Sequence, residues 1–391
     1  MAGTRAMFLR VRRESGSLWA LTLAVDRFVP FGARRLWSPR VIPAPLLAEQ
    51  AGVILRSWGM SDEHVAITVE KMLYADLRGI DSHGCSKLAF YQRLRAEGRL
   101  NAKPKIEIVR EGETTALIDG DGGLGHVPAR LAMDEAIQRS EARGVGVVAV
   151  RNSGHYGAAG AYAAMAAERG LIGLATTSTP TPAVVPTFGR RPMLGTNPVA
   201  VAAPAARNHP FLLDMATSTV SLGKLAERWQ GGKRIPRSWA LDDRGRPVTN
   251  GRVAVLKRRL TPLGGDPERS SYKGYGLALV VEILSALLPG VAVSHASDER
   301  RAVGHFFLAL DPAKFRPEGG LADDLDQMID SLRATPPADP RQPVLVPGDP
   351  EEQVLVQRSA GGIPLSRSVF EEIRSVARAS GAPFVLEAGC G

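Results

Sequence analysis

Residues 145–177, VGVVAVRNSGHYGAAGAYAAMAAERGLIGLATT, change period twice around one polar loop. Residues 145–150 are β-branched and apolar, 157–169 form an Ala-rich helical run, and 171–176 are apolar again. Strand, loop, helix, strand is the unit of an α/β layer protein. The loop Asn152-Ser153-Gly154-His155-Tyr156-Gly157 places a histidine where the strand hands over to the helix. Gly154, Gly157 and Gly160 invite comparison with a dinucleotide turn, but the spacing is GxxGxxG, not GxGxxG. The tight first turn that brings backbone to a pyrophosphate is therefore missing. The next strand ends in Thr176-Thr177-Ser178, with no acid to hold a ribose. A Rossmann reading is rejected, although a helix N-terminus still offers free N–H groups to an anion.

Upstream, 45–58 reads as a helix stopped by Gly59. Ser61 is a candidate N-cap with Asp62 and Glu63 in the first turn, and Gly79 a candidate C′ residue. A second polar loop follows, Asp81-Ser82-His83-Gly84, and then a short helix around 91–95, closed near Gly98. Strands are expected at 106–109 and 115–118, and a helix at 127–143. Downstream come strands at 199–203 and 211–213, an apolar helix at 276–288 and a strand at 305–310. A Pro-rich crossing loop fills 336–350 and a helix 365–380 closes the chain. The apolar run 280–288 reads as buried. Gly195-Thr196-Asn197-Pro198 reads as a turn, since Asn tolerates the left-handed region and Pro fixes φ.

The chemistry rests on His83, His155 and the carboxylate of Asp214 at the end of an apolar run. Imidazole titrates near neutrality and can pass a proton at cell pH. The expectation is that imidazolium donates the proton and that Asp214 orients the ring and holds its charge. Ser82, His83 and Asp214 make a poor hydrolase triad, because adjacent Ser and His rarely reach the needed geometry. Walker, HExxH and GxSxG patterns are absent, and no metal site is expected. Cys85 lies beside His83 but has no readable base partner.

The 391 residues can bury a large core and hold about two domains. Cys85 and Cys390 give no disulfide framework, so a reducing cytoplasm is the default. Residues 1–40 hold eight arginines against Glu14 and Asp26, which is six of the nine net positive charges. Such an arm suits an anionic membrane or nucleic acid. It also suits a solvated or packed extension, the reading preferred here; no nucleic acid is expected. Residues 17–25 (SLWALTLAV) resemble a signal h-region, but Asp26-Arg27 follow at once with no cleavage site.

With these residues in hand, the chain resembles the malate/L-lactate dehydrogenase family that lacks a Rossmann fold. The matching stretches include ADLRGIDSHG (75–84), GHYGAAGAYAAMAAERGLIGLA (154–175), LGTNPVAVAAPA (194–205), LDMATS (213–218), LTPLGG (260–265), YKGYGLALVVEIL (272–284), GHFFLALDP (304–312) and VPGDPE (346–351). The resemblance implies an α/β fold with a non-Rossmann mixed sheet, flanking helices, and a helical lobe made by the N- and C-terminal segments. It implies a basic extension at 1–40, a substrate lobe at 41–130, a cofactor lobe at 131–294, and a segment at 295–391 that returns to the first lobe.

The implied reaction is hydride transfer between NAD or NADP and a small 2-hydroxy or 2-oxo acid, with a histidine proton shuttle. A cyclic-imine reductase, or a non-catalytic relative acting as a binding protein, is the alternative. A homodimer is also implied. His83 and His155 match positions treated as proton donor or acceptor in different members, and Ser82 lines the same pocket. Asp214 matches a carboxylate at the nicotinamide end. Cofactor contacts are implied for Pro210, Phe211, Leu212, Leu213, Asp214, Met215 and Ala216, for Tyr272 and Lys273, and for Gly348, Asp349 and Pro350. Ser178 and Thr179 fall near another such segment, where this chain has one residue more (TSTPTP). Relatives usually carry Arg where this chain has Lys87, so a substrate carboxylate would meet a single charged head instead of a fork. The segment between Pro289 and Gly304 looks short for the family.

Overall fold

Ser61 starts its helix as its hydroxyl promises: Oγ accepts the His64 N–H, a cap that contributes about 1 kcal/mol. The computed structural model describes residues 39–295 and 302–387. The basic arm up to residue 38, its apolar stretch, residues 296–301 of the short segment and Cys390 lie outside the described residues.

The chain opens with β1 (Arg40–Ile42), α1 (Ala44–Ser57), α2 (Asp62–Leu77) and α3 (Leu88–Ala96). Strands β2 (Glu107–Glu111) and β3 (Thr115–Asp119), helix α4 (His126–Arg143), strand β4 (Val145–Ser153), helix α5 (Gly160–Ala167) and strands β5 (Ile172–Thr177), β6 (Val199–Ala203) and β7 (Phe211–Met215) follow. Helices α6 (Leu222–Gln230), α7 (Gly251–Lys257) and α8 (Ser271–Glu282) precede β8 (Val303–Leu310). The chain closes with α9 (Leu321–Arg333), α10 (Asp349–Gly361), β9 (Ile363–Leu365) and α11 (Arg367–Ser380).

Seven strands make one mixed sheet in the order β2-β3-β4-β8-β5-β6-β7. Only β3 and β4 run parallel. The long excursion that brings β8 between β4 and β5 rules out a doubly wound Rossmann sheet. Helices α4 and α5 cover one face. Ile118, Val148, Val150 and Phe307 bury against Ala129, Ala132, Met133, Ala136, Tyr162 and Ala163. The approach is close because Gly146 has no side chain: a Cβ there would stand 2.0 Å from the Ala136 carbonyl oxygen. A separate core joins the two ends of the chain. Leu47, Ile54, Met72 and Tyr91 pack with Ile363, Phe370, Ile373 and Val376, and β1 pairs antiparallel with β9.

Several elements depart from the sequence expectation. β4 runs on to Ser153 after a register shift, with Asn152 in the left-handed region at φ 49°, so that Ser153 pairs Val303. α5 begins at Gly160 instead of 157, because Gly157 takes φ 81° and breaks the helical path. Helix α8 starts at Ser271 and ends in a π turn, Ile283–Leu287. The run expected to be buried there shows an open apolar face: Val280, Ile283, Leu287 and Leu288 are about half exposed. The Pro-rich crossing loop stops at Gly348, and Asp349 and Pro350 already belong to the first turn of α10. The closing helix starts at Arg367, since 363–365 is taken by β9. Helices α6, α7, α9 and α10 had no counterpart in the sequence reading. Asn197 does adopt the turn conformation expected of it, at φ 37°, with its amide donating to Glu282. Among the described residues no helix is long and apolar enough to cross a membrane.

Candidate active site

The loop after α2 is folded around one buried carboxylate. Asp76 Oδ2 accepts the Cys85 N–H at 2.8 Å. Gly84 passes so close that a Cβ would lie 2.0 Å from Asp76 Oδ1, so only glycine fits. Burial raises the Asp76 pKa to about 7, partly offset by the bond from Cys85. From outside, Arg358 on α10 donates to the Asp76 carbonyl and to the Asp81 carboxylate. Thus held from both sides, the loop presents Ser82 and His83, whose hydroxyl and Nδ1 share a 2.8 Å hydrogen bond.

The loop after β4 brings the second histidine. The His155 carbonyl accepts the Gly125 N–H at 3.1 Å, which ties the loop to the start of α4. The His83 and His155 rings stack with centroids 5.6 Å apart and planes at 26°. The Tyr91 hydroxyl lies 2.7 Å from His155 Nδ1, and the Gly157 N–H donates to the same nitrogen at 3.3 Å. A backbone N–H can only donate, so Nδ1 is the acceptor and the neutral ring carries its proton on Nε2. Tyr91 is fully buried on α3.

Both rings are held neutral near pH 7. Burial, then the charge of Lys87, lowers the His83 pKa to about 4. The same two causes push His155 well below its ordinary value. Among the described residues no carboxylate bonds to either ring and the nearby charge is positive, so the free protein favours the neutral imidazole over the imidazolium expected from sequence.

Asp214 does not reach either ring directly. Its Oδ2 accepts the Gly160 N–H at 2.8 Å, capping the first turn of α5, with no hydrogen bond to His83 or His155. Burial raises its pKa to about 6. The hydroxyls of Tyr74 and Tyr156, both close enough to feel the Asp214 charge, are buried without a hydrogen-bond partner.

The residues expected at a cofactor are partly gathered. Phe211, Leu212, Leu213, Asp214 and Met215 form the half-buried edge strand β7. The Leu212 N–H donates to the Pro347 carbonyl, which brings Gly348 against Leu212. Asp349 is fully engaged: its carboxylate accepts from Arg333 at 2.6 Å and from the Val346 N–H at 2.9 Å, and bonds His209 at 2.7 Å. Tyr272 and Lys273 are exposed at the start of α8, and Lys273 has no anionic partner among the described residues. Ser178 is buried and pairs with Gly304. The Thr179 N–H donates to Asn197 Oδ1, two strands away from the histidine pair in the sheet connectivity. Idle buried hydroxyls near a half-buried edge strand, with an exposed ammonium on α8, fit a dinucleotide carrying a polar ring and phosphates.

Lys87 ends the Cys85–Lys87 turn, half-buried, with Nζ 5.8 Å from the Phe90 ring centroid. Phe90 in turn meets His155 edge-on at 6.3 Å. Burial, with Arg258 and Arg93 nearby, lowers the Lys87 pKa to about 8. Sequence reading missed Tyr91, Phe90, Asp76 and two buried histidines. His305 bonds Thr177 and Ser153 and stacks on Tyr156 at 4.5 Å, and so props the loop. His126 meets Tyr91 edge-on at 5.8 Å, and neither of its ring nitrogens has a partner. Tyr91 had a signal: it lies three residues after Leu88 on the apolar face of a short helix, and a buried hydroxyl needs a partner.

The sequence profile of the malate/L-lactate dehydrogenase family matches residues 42–374. The chain is 40% identical over 333 residues to the malate dehydrogenase of Pyrococcus horikoshii, which spans 84% of this chain and 92% of that protein. It is 35% identical over 328 residues to the L-sulfolactate dehydrogenase of Methanocaldococcus jannaschii, covering 83% of this chain and 92% of that protein. The crystal structure of malate dehydrogenase from Entamoeba histolytica superposes with a TM-score of 0.84 at 30% identity, over 88% of this chain and 99% of that one.

Proposed function

The chain belongs to the malate/L-lactate dehydrogenase family of oxidoreductases, and on that premise we propose that it interconverts a small 2-hydroxy acid and its 2-oxo acid with NAD or NADP. The observation that carries this reading is the stacked pair His83 and His155 beside Lys87, a half-buried cation with no carboxylate partner among the described residues. An ammonium left unpaired beside two neutral imidazoles suits a carboxylate whose neighbouring carbon bears the reacting oxygen.

Bound reduced nicotinamide supplies the hydride. Phe211–Met215, Gly348 and Lys273 would hold the cofactor, the strand against its flat ring and Lys273 against a phosphate. Asp349 acts by fixing the segment around Gly348, through Arg333 and His209. Asp214 keeps the N-terminal turn of α5 in place.

Lys87 binds the substrate carboxylate. Burial is the larger cause of the low His83 pKa and the charge of Lys87 adds to it, so an arriving carboxylate that neutralises Lys87 removes the second contribution and raises the pKa in part. His155 keeps its proton on Nε2 and donates a hydrogen bond to the substrate oxygen. His83 can direct Nδ1–H to Ser82, which leaves Nε2 a free base to take the hydroxyl proton during oxidation and return it during reduction. Ser82 fixes that tautomer.

The open apolar face of Val280, Ile283, Leu287 and Leu288 supports a homodimer, and light scattering of the purified protein gives its mass directly. A reducing compartment suits the free, buried Cys85. The activity test is purified protein with NADH or NADPH and a panel of 2-oxo acids, followed by loss of the reduced nicotinamide absorbance. Turnover of at least one acid is expected. No turnover across the panel, or turnover only of a cyclic ketimine carboxylate, would overturn the reading.

A further inference from the structure

His126 breaks a rule that the other fully buried histidine keeps. His305 satisfies both ring nitrogens, with the Thr177 hydroxyl at 2.7 Å and the Ser153 hydroxyl at 2.9 Å. His126, the first residue of α4, is equally inaccessible, and neither of its ring nitrogens has a hydrogen-bond partner within the protein. Burial, then the charge of Lys71, lowers its pKa to about 3. The ring is therefore neutral, with one N–H and one lone pair. A buried donor left unmet costs about 1–3 kcal/mol, and a phenylalanine of similar shape would not incur it. A polar side chain in that position marks a place where a further group completes it.

The surroundings of the ring say which group. A Cβ built on Gly157 would stand 3.2 Å from His126 Nε2 and 3.6 Å from the His83 carbonyl oxygen. Gly157 has no side chain, so this gap stays open, with a ring nitrogen on one side and an acceptor on the other. Among the described residues the His83 carbonyl accepts no hydrogen bond. Gly125, the residue before His126, already performs the matching task for the other loop, because its N–H donates to the His155 carbonyl at 3.1 Å. The His126 ring also meets Tyr91 edge-on, with centroids 5.8 Å apart. The Tyr91 hydroxyl and the Gly157 N–H are the two donors at His155 Nδ1. One ring thus borders both donors to His155 and the backbone of His83. A polar gap with two groups able to bond it is a site for a single buried water.

We propose that His126 is a positioning residue: its Nε2–H, through one internal water seated beside Gly157, holds the His83 carbonyl. Neighbouring residues at the start of α4 then fasten both histidine loops, Gly125 the one and His126 the other, and so set the spacing of the stacked rings. The inference rests on the proposed function for the roles of His83 and His155. His126 is fully buried and acts on the reaction only through them.

The test compares His126→Phe and His126→Gln with the wild type. His126→Phe fills similar space without a donor, and should melt at the wild-type temperature or above it. It should lower kcat about 10-fold, the scale of one lost hydrogen bond to a positioned group, and leave KM for the dinucleotide unchanged. His126→Gln keeps a donor and should restore kcat to within about threefold of wild type. A wild-type kcat in His126→Phe would overturn the proposal. So would a loss that His126→Gln does not repair, since shape would then be the cause. A high-resolution crystal structure of the wild type needs no turnover. It should show one water within hydrogen-bond distance of both His126 Nε2 and the His83 carbonyl. In His126→Phe that water should be gone and the rings of His83 and His155 further apart than 5.6 Å. A wild-type gap without that water would overturn the proposal even if a 2-oxo acid is reduced, and the bridging water decides the tie even if none is.

Discussion

Two clusters of charge, one tied to β7 and the other beside α3, are built on opposite rules. Around Asp349 every group is satisfied: its carboxylate meets Arg333, His209 and the Val346 N–H, and Arg333 also donates to Asn208. Beside His83 and His155, Lys87 and its neighbour Arg93 pair with no carboxylate among the described residues, and both imidazoles are held neutral in the free protein. A saturated knot holds chain segments together and asks for nothing more. A cluster of like charge, costly to bury, persists where a ligand completes it. Charge content alone does not separate structure from function; the unpaired remainder does.

Mutations can break this contrast from either side. The largest effect is expected at His83. His83→Ala should lower kcat by about 1,000-fold while leaving cofactor affinity intact, as loss of a proton-transfer group does. Steady-state kinetics and nucleotide titration check both halves, and a kcat within a few-fold of wild type would remove His83 from the role. On the saturated side, Asp349→Ala strands Arg333 and frees the Val346 N–H. It should cost about 2–4 kcal/mol of stability in a denaturant melt and raise KM for the dinucleotide, with kcat of the folded fraction little changed.

The pH profile of kcat/KM sharpens the unsaturated side. Acid binding needs Lys87 charged, which holds below its pKa of about 8, and proton abstraction needs His83 neutral, which holds above about 4. Oxidation should therefore rise through about pH 4, level off, and fall above about pH 8. Lys87→Arg should remove the alkaline fall, because guanidinium stays charged, and a fall left in place would detach it from Lys87. The smallest effect is expected at Tyr91. Tyr91→Phe removes one of two donors to His155 Nδ1 and should lower kcat about 10-fold with an unchanged melting temperature.

The sequence displayed the pieces of this site better than their wiring. His83 and His155 stood out because polar, Gly-flanked loops interrupt periodic segments, and those loops do converge. The start of α2 was legible in Ser61, and the turn at Asn197 in its αL tolerance. Asp214 misled. A carboxylate at the end of an apolar run reads alike as a general acid or as a cap, and only the fold, by bringing Gly160 within 2.8 Å, separates the two. The protonation state of the histidines was equally hidden, since it depends on burial and on Lys87, neither of which spacing reveals. The open face of α8 was misread because apolar composition does not say what covers a helix. Helices α6 and α7 carry mixed charged and small residues with weak stop signals, so neither was recognised.

The most direct test is a crystal structure of the protein with its reduced dinucleotide and oxamate, an unreactive isostere of a 2-oxo acid. The oxamate carboxylate should lie within hydrogen-bond distance of Lys87 Nζ, with its neighbouring carbonyl oxygen against His83 and His155. Oxamate bound away from both rings, or seated between them with Lys87 turned out to solvent, would contradict the account.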